Sequence, residues 1–578
     1  QDEDLVLDAP LRSLDIIPSV KQGRETGDTV AIGSRIALSA SAGLDNEKDF
    51  LAQVLEKDYA AQLSDSAAYP ISLAIDSTAA WTNGESYRLE LTPEGAAITG
   101  ASSAGVFYGI QTLRAVLGMN TLPLRTPAVS ISDYPDFGYR GMHLDVARNF
   151  QTPEAVKRLL DMMAYYKLNV FHFHFNDDES WRLEIPGIPE LTSYGARRGH
   201  TLDEKDMLHP TYGSGPFADD TTSHGYGYFT REQFIDLLQY ATRLHIQVIP
   251  EIETPGHARA AIYSMKHRYE KYKDTDPEEA ARYLLHDPAD TSEYTSAQGF
   301  HDNVMCVANE GVYNFLDKVV TELQTMYREA GAPLAGIQTG GDEVPRGAWL
   351  GSPACQALID QGVVASKDDL RDYYTARLKK ILDEKGLKFY GWMEIATKKG
   401  KVNPKFQDAG FVAYCWDTVG SWGGEEMPYH LANSGVDVIL CNAPNLYFDF
   451  ANNKHAEEPG LYWGGWVTER DSYNLLPYDM YRSVRIGLDG SPMDWDKAVR
   501  KANGTPKERL TAEGKKHILG IQGELWSETI KGEPMMQYYI FPKIVGLAER
   551  AWDAVPDWSM ISGKQTREKA YNEALGAY

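Results

Sequence analysis

Eight short apolar runs, separated by longer amphipathic segments, limit more than any other feature how this chain can fold. Several of the intervening segments repeat apolar residues at helical spacing, for example "TPEAVKRLLDMMAYYK" and "TREQFIDLLQYATRLH". Strands that alternate with helices form parallel sheets, and eight such units predict an α/β fold with a closed (β/α)8 TIM barrel. The runs lie at 142–147, 169–175, 246–253, 336–343, 388–394, 411–416, 436–443 and 518–526.

A doubly wound open sheet is the competing architecture. That fold usually carries a glycine-rich phosphate-binding turn after its first strand, and the sequence has none there. Helix ends can also be predicted: Thr152 and Thr230 stand where N-caps belong, and Gly331 and Gly386 where helices end. The barrel is therefore the favoured fold.

The first part of the chain shows a different pattern. "YPISLAID" and "ESYRLELTPEGAAITG" have the alternation of strands, and "SSAGVFYGIQTLRAVLG" has helical spacing. A turn-rich stretch, "SDYPDFGYRG", follows them. We predict a small α/β accessory domain over residues 1–134 and the barrel domain over residues 135–578.

Charge and apolar content restrict the partners. The chain has 57 Lys+Arg against 82 Asp+Glu, a net charge of -25, which argues against nucleic acid and anionic membranes and favours a neutral ligand. It has no run of 18 apolar residues that would predict a membrane span. The polar start "QDEDLVLDAP" does not resemble a secretion signal, so we expect a leader to be absent or already removed.

Metal and cofactor motifs are weak. The four cysteines show no CxxC spacing and indicate neither a zinc site nor a disulfide framework. His172 and His174 share one face of a strand, but no third ligand follows at a suitable spacing. We therefore expect no metal and no cofactor, and interpret the two histidines as side chains of the barrel interior.

Acidic and aromatic residues follow the predicted strands. In a barrel, chemistry takes place at the carboxyl ends of the strands. Carboxylates bind hydroxyl groups, indole rings cover sugar faces, and carboxyl pairs perform acid–base catalysis, so the pattern favours a carbohydrate hydrolase over a solvated acidic rim. The strand-end residues are Asp145, Arg148, Asp177, Asp178, Glu251, Glu253, His257, Asp342, Glu343, Trp392, Glu394, Trp416, Asp417, Tyr447, Asp449, Trp526 and Glu528.

Several motifs in a fixed order carry a family resemblance. They are "RGMHLDVARNF", "HFHFNDDESWRLEI", "EIETPGHARAA", "GGDEV", "YGW", "YFD" and "LWSE". Together they resemble the family 20 glycoside hydrolases, the β-N-acetylhexosaminidases. The segments "GSGP" (213–216) and "SAQGFHDNVMCVA" (296–308) are most similar to the bacterial chitobiase branch.

The resemblance implies a retaining, substrate-assisted mechanism. The nucleophile is the carbonyl oxygen of the substrate's own 2-acetamido group, which closes an oxazolinium ring. Glu343 would be the general acid and then the base, while Asp342 would accept the acetamido N–H. Neighbouring strand residues point in opposite directions, which would let both reach one sugar. An ionised Asp342 also favours a raised pKa for Glu343.

The resemblance assigns further catalytic roles. Tyr447 would hydrogen-bond the acetamido carbonyl oxygen and hold it for attack. Asp177 and His257 would steady the proton of the acid–base. For His257, a cap of the "TPGH" turn is the alternative.

The substrate-binding residues implied by the resemblance enclose one terminal sugar. Trp463 would stack on the next sugar, Asp449 would take the 6-hydroxyl, and Arg148 and Glu528 would bind the hydroxyls of the non-reducing end. The remaining tryptophans would surround the acetamido methyl group. The set is Arg148, Trp392, Trp416, Asp449, Trp463, Trp526 and Glu528.

Some positions depart from the family or stay open. Gln338 and Asn149 stand where many members have histidine, and we interpret both as structural. Glu253 and Asp178 fit supporting acids. The long loop 208–229 shapes the site, forms an oligomer contact or decorates the surface.

The function expected is exo-hydrolysis of terminal β-linked GlcNAc, or GalNAc, from chitooligosaccharides or glycans. A carbohydrate is thus the expected partner. A sugar-binding protein on a hydrolase scaffold and a hydrolase of non-acetylated sugars are the rival hypotheses. Such enzymes usually meet their polymers outside the cytoplasm, so we expect a periplasmic, cell-surface or secreted location.

Overall fold

The computed structural model describes residues 14–407, 409–420 and 422–578. The polar start on which the leader prediction rests lies outside these residues. The described chain forms a seven-stranded sheet followed by a closed barrel. Its helices include none that is both long and apolar enough to cross a lipid bilayer.

In the N-terminal sheet, alternate residues along the strands point to a buried face. Tyr69–Ile75 and Tyr87–Thr92 alternate buried and exposed residues, since one face packs on the helices Asp45–Asp58 and Ser103–Leu117. Ser102 caps the second helix at the amide of Gly105. The strands are Gln22–Ile32, Arg35–Ala40, Gln62–Leu63, Tyr69–Ile75, Tyr87–Thr92, Gly95–Gly100 and Leu124–Asp133.

The barrel prediction is confirmed: eight parallel strands close in chain order, and the last strand pairs with the first through Gly523 and Met142. Most of their residues are buried, because side chains face either the barrel interior or the surrounding helices. Each predicted run overlaps one strand, although the first strand begins three residues earlier than predicted, at Tyr139. The strands are Tyr139–Asp145, Val170–His174, Gln247–Thr254, Gly336–Gly340, Lys388–Trp392, Phe411–Cys415, Asp437–Leu440 and Ile518–Gly523.

Helices surround the barrel and begin and end largely at the predicted residues. Thr152 and Thr230 accept hydrogen bonds from backbone amides as N-caps, and Gly331 is a left-handed C-cap. The α-helices are Pro153–Tyr165, Glu190–Ser193, Arg231–Arg243, Arg259–Tyr272, Pro277–Ala281, Glu310–Ala330, Pro353–Asp360, Leu370–Glu384, Met427–Asn433, Ala443–Leu446, Glu469–Asn474, Trp495–Ala498, Ala512–Lys515, Glu533–Ile540, Lys543–Trp552 and Lys564–Ala577.

Short elements complete the chain. Thr397–Lys398 pairs with Lys401–Val402 in a two-stranded hairpin. Single 3-10 turns occur at Lys367–Asp369, Met393–Ala396, Pro404–Phe406, Met480–Arg482 and Asp557–Met560.

The sheet and the barrel meet through buried polar groups. Arg140, in the first barrel strand, donates two hydrogen bonds to Glu85, of 3.1 and 2.8 Å. The Trp552 indole donates to Asp133 at 3.1 Å. The sheet's last strand ends at Asp133 and the barrel begins at Tyr139, while the domain division at residue 134 stays a prediction.

Candidate active site

A cavity of about 540 Å³ opens at the carboxyl ends of the barrel strands. Of the residues that the family resemblance gives a catalytic or substrate-binding role, all but Asp177 line it; Asp177 lies behind His257 instead. The predicted lining residues that the structure brings together are Arg148, His257, Asp342, Glu343, Trp392, Trp416, Tyr447, Asp449, Trp463, Trp526 and Glu528.

The turn that carries the acidic pair differs from the predicted strand 336–343. The strand ends at Gly340, where Gly340 and Gly341 take φ angles of 74° and 88°. A Cβ atom at Gly341 would clash with the side chain of Ile395. Asp342 and Glu343 therefore lie in a turn, so strand alternation does not set their directions, and that part of the prediction is wrong.

Backbone strain marks the same turn. Glu343 has a φ of 48°, in the left-handed region that residues with a side chain rarely adopt. His257 has a φ of 51°. Such strain persists where the surrounding structure holds it, and it concentrates at functional sites.

His257 connects four carboxylates. Its Nε2 atom lies 3.3 Å from Glu343 Oε1 and 3.5 Å from Asp342 Oδ2. Its Nδ1 atom lies 3.1 Å from Asp177 Oδ1 and 3.2 Å from Asp178 Oδ2. Burial opposes protonation of the ring, but Asp177 and Asp342, with hydrogen bonds to Asp177 and Asp178, raise its pKa well above the usual range. The imidazolium form therefore holds the acidic pair.

The pKa values of the pair run opposite to the expectation. Burial would raise the pKa of Glu343, but the hydrogen bond and charge of His257, with a contact from Gln298, lower it. Burial raises the pKa of Asp342, and the attraction of His257 only partly offsets this. The expected raised pKa of Glu343 is thus wrong, because the expectation omitted His257.

Arg148 is fully engaged by carboxylates. Its guanidinium lies 3.1 Å from Asp145, 3.1 Å from Asp177, 2.8 Å from Glu179 and 3.3 Å from Glu528. Burial raises the pKa of Glu179 to about 8, although Arg148 opposes this. Arg148 therefore fixes the position of Glu528 at the cavity.

Three cavity-lining carboxylates each keep one oxygen without a hydrogen-bond partner among the described residues. These atoms are Asp342 Oδ1, Asp449 Oδ2 and Glu528 Oε2, and all three are buried. An unpaired buried acceptor is costly unless a ligand satisfies it. These three carboxylates are therefore the cavity residues whose hydrogen-bonding capacity the described protein leaves unfilled.

Aromatic rings form the walls. The Trp392 indole donates to Glu251 at 3.0 Å, and the Trp416 indole donates to Glu394 at 2.8 Å, which fixes both rings. Trp526 lies with its ring centroid 5.7 Å from that of Trp392. Flat apolar walls beside unpaired carboxylates suit a ligand with both apolar faces and hydroxyl groups.

A buried lysine supports the strand-end segment that carries Tyr447 and Asp449. Lys543 Nζ donates to the carbonyl oxygens of Phe448 and Phe450, at 3.0 and 2.7 Å. The lysine side chain is fully buried. These contacts hold the backbone on either side of Asp449.

The histidines of "HFH" lie in the barrel interior, as predicted. His172 and His174 both contact Glu251 Oε1, at 2.7 and 2.6 Å, and His174 also lies 2.6 Å from Asp177. Hydrogen bonds thus run from Trp392 through Glu251 and His174 to Asp177. His143 brings a third candidate metal-ligand atom to this place, since its ring nitrogen, a ring nitrogen of His172 and a carboxylate oxygen of Glu251 lie within 4.8 Å of one another. The spacing of residues along the chain did not indicate His143.

Other expectations concerned supporting residues. Asn149 donates to the carbonyl oxygens of Ser527 and Glu528, at 2.7 and 3.3 Å. Gln338 accepts a hydrogen bond from the Gly340 amide at 2.6 Å. Both side chains support backbone next to the cavity, consistent with a structural interpretation.

Sequence reasoning did not assign several lining residues. Tyr212 comes from the loop 208–229, so this loop shapes the cavity. Gln298 lies 3.5 Å from Glu343, in the segment 296–308. Trp422 stacks on Trp463 with centroids 5.6 Å apart. None of these three residues directly follows a strand. Only the unusual length of the loop 208–229 and the family resemblance of the segment 296–308 could have indicated Tyr212 and Gln298.

Comparison with known proteins agrees with this geometry. The model of the glycosyl hydrolase family 20 catalytic domain matches residues 137–555, and that of family 20 domain 2 matches residues 13–134. The β-hexosaminidase of Vibrio vulnificus is 37% identical over 492 residues, covering 84% of this chain and 55% of the relative. The β-hexosaminidase of Vibrio furnissii is 33% identical over 522 residues, covering 90% and 73%.

A solved structure gives the same result. The exo β-N-acetylglucosaminidase from Vibrio harveyi, solved in complex with N-acetylglucosamine, superposes with a TM-score of 0.74 at 30% identity, covering 97% of this chain and 77% of that one. The chain spans a little over half the length of several curated relatives, including the V. vulnificus enzyme. With both family models matched in order, the chain belongs to glycosyl hydrolase family 20.

Proposed function

We propose that the protein is a retaining exo-β-N-acetylhexosaminidase. Its substrates would be chitooligosaccharides or glycans that end in β-linked GlcNAc, or GalNAc. The observation that carries the proposal is the set of unpaired oxygens on Asp342, Asp449 and Glu528 inside a tryptophan-walled cavity. A terminal N-acetylhexosamine offers an amide N–H and several hydroxyls to such acceptors.

Substrate binding would prepare the acetamide for attack. Asp342 Oδ1 would accept the amide N–H, and the Tyr447 hydroxyl would donate to the carbonyl oxygen. That oxygen attacks the anomeric carbon as the glycosidic bond breaks, so the oxazolinium forms without a protein nucleophile. Holding the reacting atoms together lowers the entropic part of the barrier.

Glu343 would transfer the protons. Its contact with His257 lowers its pKa, so that pKa must rise when the sugar enters if Glu343 is to carry the proton near neutral pH. A sugar that excludes water and keeps Asp342 ionised would raise the pKa of Glu343. Glu343 would then protonate the leaving oxygen and afterwards take a proton from the attacking water.

Arg148 and Glu528 would close the far end of the cavity. Since Arg148 is enclosed by carboxylates, its role would be to hold Glu528 Oε2 toward the hydroxyls of the terminal sugar. This closure supports exo action. We further propose that the enzyme acts outside the cytoplasm, where such polymers occur.

The test uses chitobiose, whose poor leaving group needs an acid. Removing a general acid typically costs about 10²–10⁴ in rate, so Glu343→Gln should lose about a thousandfold in kcat. A thiazoline mimic of the oxazoline should inhibit the native enzyme. The exposed Glu310→Gln variant, whose partner is Arg377, is the control and should keep full activity.

Three results would contradict the proposal. One is near-native kcat in Glu343→Gln. Another is GlcNAc binding without hydrolysis, which would indicate a sugar-binding protein. The third is preference for an aryl β-glucoside over the aryl β-GlcNAc.

A further inference from the structure

A second cavity lies beside the catalytic one. Its volume is about 1080 Å³, against about 540 Å³ for the catalytic cavity. Most of its lining comes from the long segment between strands Asp437–Leu440 and Ile518–Gly523, and helix Lys564–Ala577 adds three residues. A space of this size can hold more than one small-molecule unit.

The two cavities share parts of their walls. Trp416 lines the catalytic cavity, and Thr418, two residues later, lines the second. Trp463 likewise lines the catalytic cavity, while Gly464 and Trp466 line the second. Because close neighbours along the chain face different cavities, the second cavity adjoins the catalytic one at Trp463.

A bound sugar chain has to leave the catalytic cavity on this side. Arg148 and Glu528 close the end that would hold the terminal sugar. Trp463 and Trp422 are instead exposed to solvent. Sugars that follow the first one therefore pass these two tryptophans, next to the second cavity.

The polar lining of the second cavity suits a neutral ligand with amide groups. Neither sign of charge dominates among its ionisable side chains, which are Arg470, Arg485, Lys507, Glu425, Glu469, Asp471 and Asp489. The buried Asn442 also lines it, and its Oδ1 atom has no hydrogen-bond partner among the described residues. The described protein thus leaves the hydrogen-bonding capacity of this amide unfilled.

Apolar side chains are grouped in the same lining. Trp466 stacks on the exposed Tyr462, with ring centroids 6.1 Å apart and planes 6° apart. Ile486 and Leu488 also line the cavity, and both are exposed. Exposed apolar groups gathered at a cavity commonly mark a binding site, and indole rings cover the apolar faces of sugars.

We propose that the second cavity binds the third and following sugars of a longer substrate. The inference rests on the proposed function, because the ligand is a chain of β-linked N-acetylhexosamines whose first sugar lies in the catalytic cavity and whose second lies on Trp463. Trp466 would cover one face of a later sugar, and Asn442 Oδ1 would accept an acetamido N–H. The enzyme would then prefer chitooligosaccharides of three or more sugars to chitobiose.

Affinity along a series of chain lengths tests the proposal. The Glu343→Gln variant, in which turnover should be slow, is titrated by calorimetry with chitobiose, chitotriose and chitotetraose. Because an aromatic contact contributes modestly, chitotetraose should bind about 2- to 10-fold more tightly than chitobiose. Adding Trp466→Ala should reduce this ratio to about one, and Trp466→Phe should restore part of it. Tyr538→Ala, at an exposed aromatic residue that lines neither cavity, is the control and should keep the ratio.

Equal affinities for the three oligomers would overturn the inference, as would a ratio that survives Trp466→Ala. Leu488→Asn, in the same lining on another segment, should also lower the ratio and decides the matter where Trp466→Ala fails to fold. Turnover of chitobiose by the native enzyme tests the proposed function separately, so the two can fail independently. A dimer in sedimentation that Trp466→Ala dissociates would assign the cavity to a second copy of the chain and overturn the inference.

Discussion

The sheet–barrel interface and the catalytic cavity bury polar groups in opposite ways. At the interface, Arg140 donates to Glu85 and to the carbonyl oxygens of Phe137 and Lys167. In the cavity, Asp342, Asp449 and Glu528 each keep a buried oxygen without a partner among the described residues. Paired groups stabilise the fold, whereas unpaired acceptors are kept for a ligand.

The contrast has an energetic consequence. Removing one partner of a buried ion pair leaves the other uncompensated and destabilises the protein. Removing a cavity carboxylate that lies among other carboxylates also removes their repulsion, because active sites commonly trade stability for function. Substitutions in the two regions should therefore separate stability from activity.

The largest expected effect is on activity, from Asp342→Asn. Loss of a group that stabilises charge in the transition state typically costs about 10²–10³ in kcat. The melting temperature should change little, because the substitution removes both the attraction of Asp342 to His257 and its repulsion of Glu343 and Glu251. Steady-state rates on an aryl β-GlcNAc, with a thermal melt, measure both; an unchanged rate would remove Asp342 from the mechanism.

The next effect is on stability, from Arg140→Met. It leaves the partly exposed Glu85 without its guanidinium partner and the buried carbonyl oxygens of Phe137 and Lys167 without a donor, at a typical cost of about 1–3 kcal/mol for each buried group left unpaired. Denaturant unfolding measures the change, and the folded enzyme should keep its kcat. Arg231→Gln, which breaks an exposed pair with Glu329, is the control and should change stability by less than about 1 kcal/mol. Equal losses in both variants would contradict the comparison.

Two buried lysines, one beside the cavity and one at the interface, allow the comparison to be tested by the pH dependence of kcat. Burial lowers the pKa of Lys543, behind Tyr447 and Asp449, to about 8, and burial likewise lowers that of Lys167, at the interface, to about 8. Above pH 8 the ammonium of Lys543 is lost, and the carbonyls beside Asp449 lose a charged donor. We expect kcat to fall through pH 8, and Lys543→Arg to move that fall upward.

Lys167 is the control for this alkaline fall in kcat. Its Nζ donates to Thr112 at 2.6 Å and lies 3.8 Å from Asp133, at the sheet–barrel interface. Lys167→Gln should leave the alkaline limb of kcat in place. Both lysines have lower pKa values folded than unfolded, so their cost to stability is present below pH 8 and is relieved as pH rises from about 8 to 10.4. An alkaline limb that shifts in the Lys167→Gln variant would refute its assignment to Lys543.

The smallest effect is expected from Trp463→Ala at the cavity mouth. Trp463 is 39% exposed, and its stacking on a second sugar is worth about 0.5–1.5 kcal/mol, a rise in KM of roughly 2- to 10-fold. KM should rise for chitobiose, whose second sugar stacks on Trp463, and should not rise for an aryl β-GlcNAc, which has no second sugar. The value of kcat should stay the same for both substrates. Tyr462→Ala, at the exposed neighbouring residue, is the control.

Much of the fold followed from local patterns. Eight apolar runs alternating with amphipathic helices predicted the barrel, and caps such as Thr230 predicted where helices begin. The strand ends brought most of the site residues, because parallel strands in a barrel deliver their carboxyl ends to one face. The family motifs then indicated which side chains would meet there.

The pair Asp342 and Glu343 shows where local patterns stopped. Their position after two glycines could be read from the chain, but their turn, the strained φ of Glu343 and the direction of its pKa shift could not. The pKa shift depends on His257, which is distant along the chain and lies 3.3 Å from Glu343, and the turn packs against Ile395.

The amino-acid sequence by itself determined the barrel, the order of its strands and the chemical types gathered at their ends, because these depend on periodicity and short motifs. Only the tertiary structure decided which carboxylate oxygens stay unpaired, how Glu251 joins Trp392 to the histidines, and that a second cavity adjoins the catalytic one. The physical reason is that burial, charge and hydrogen bonding are set by residues far apart in the chain, whose distances no local pattern contains.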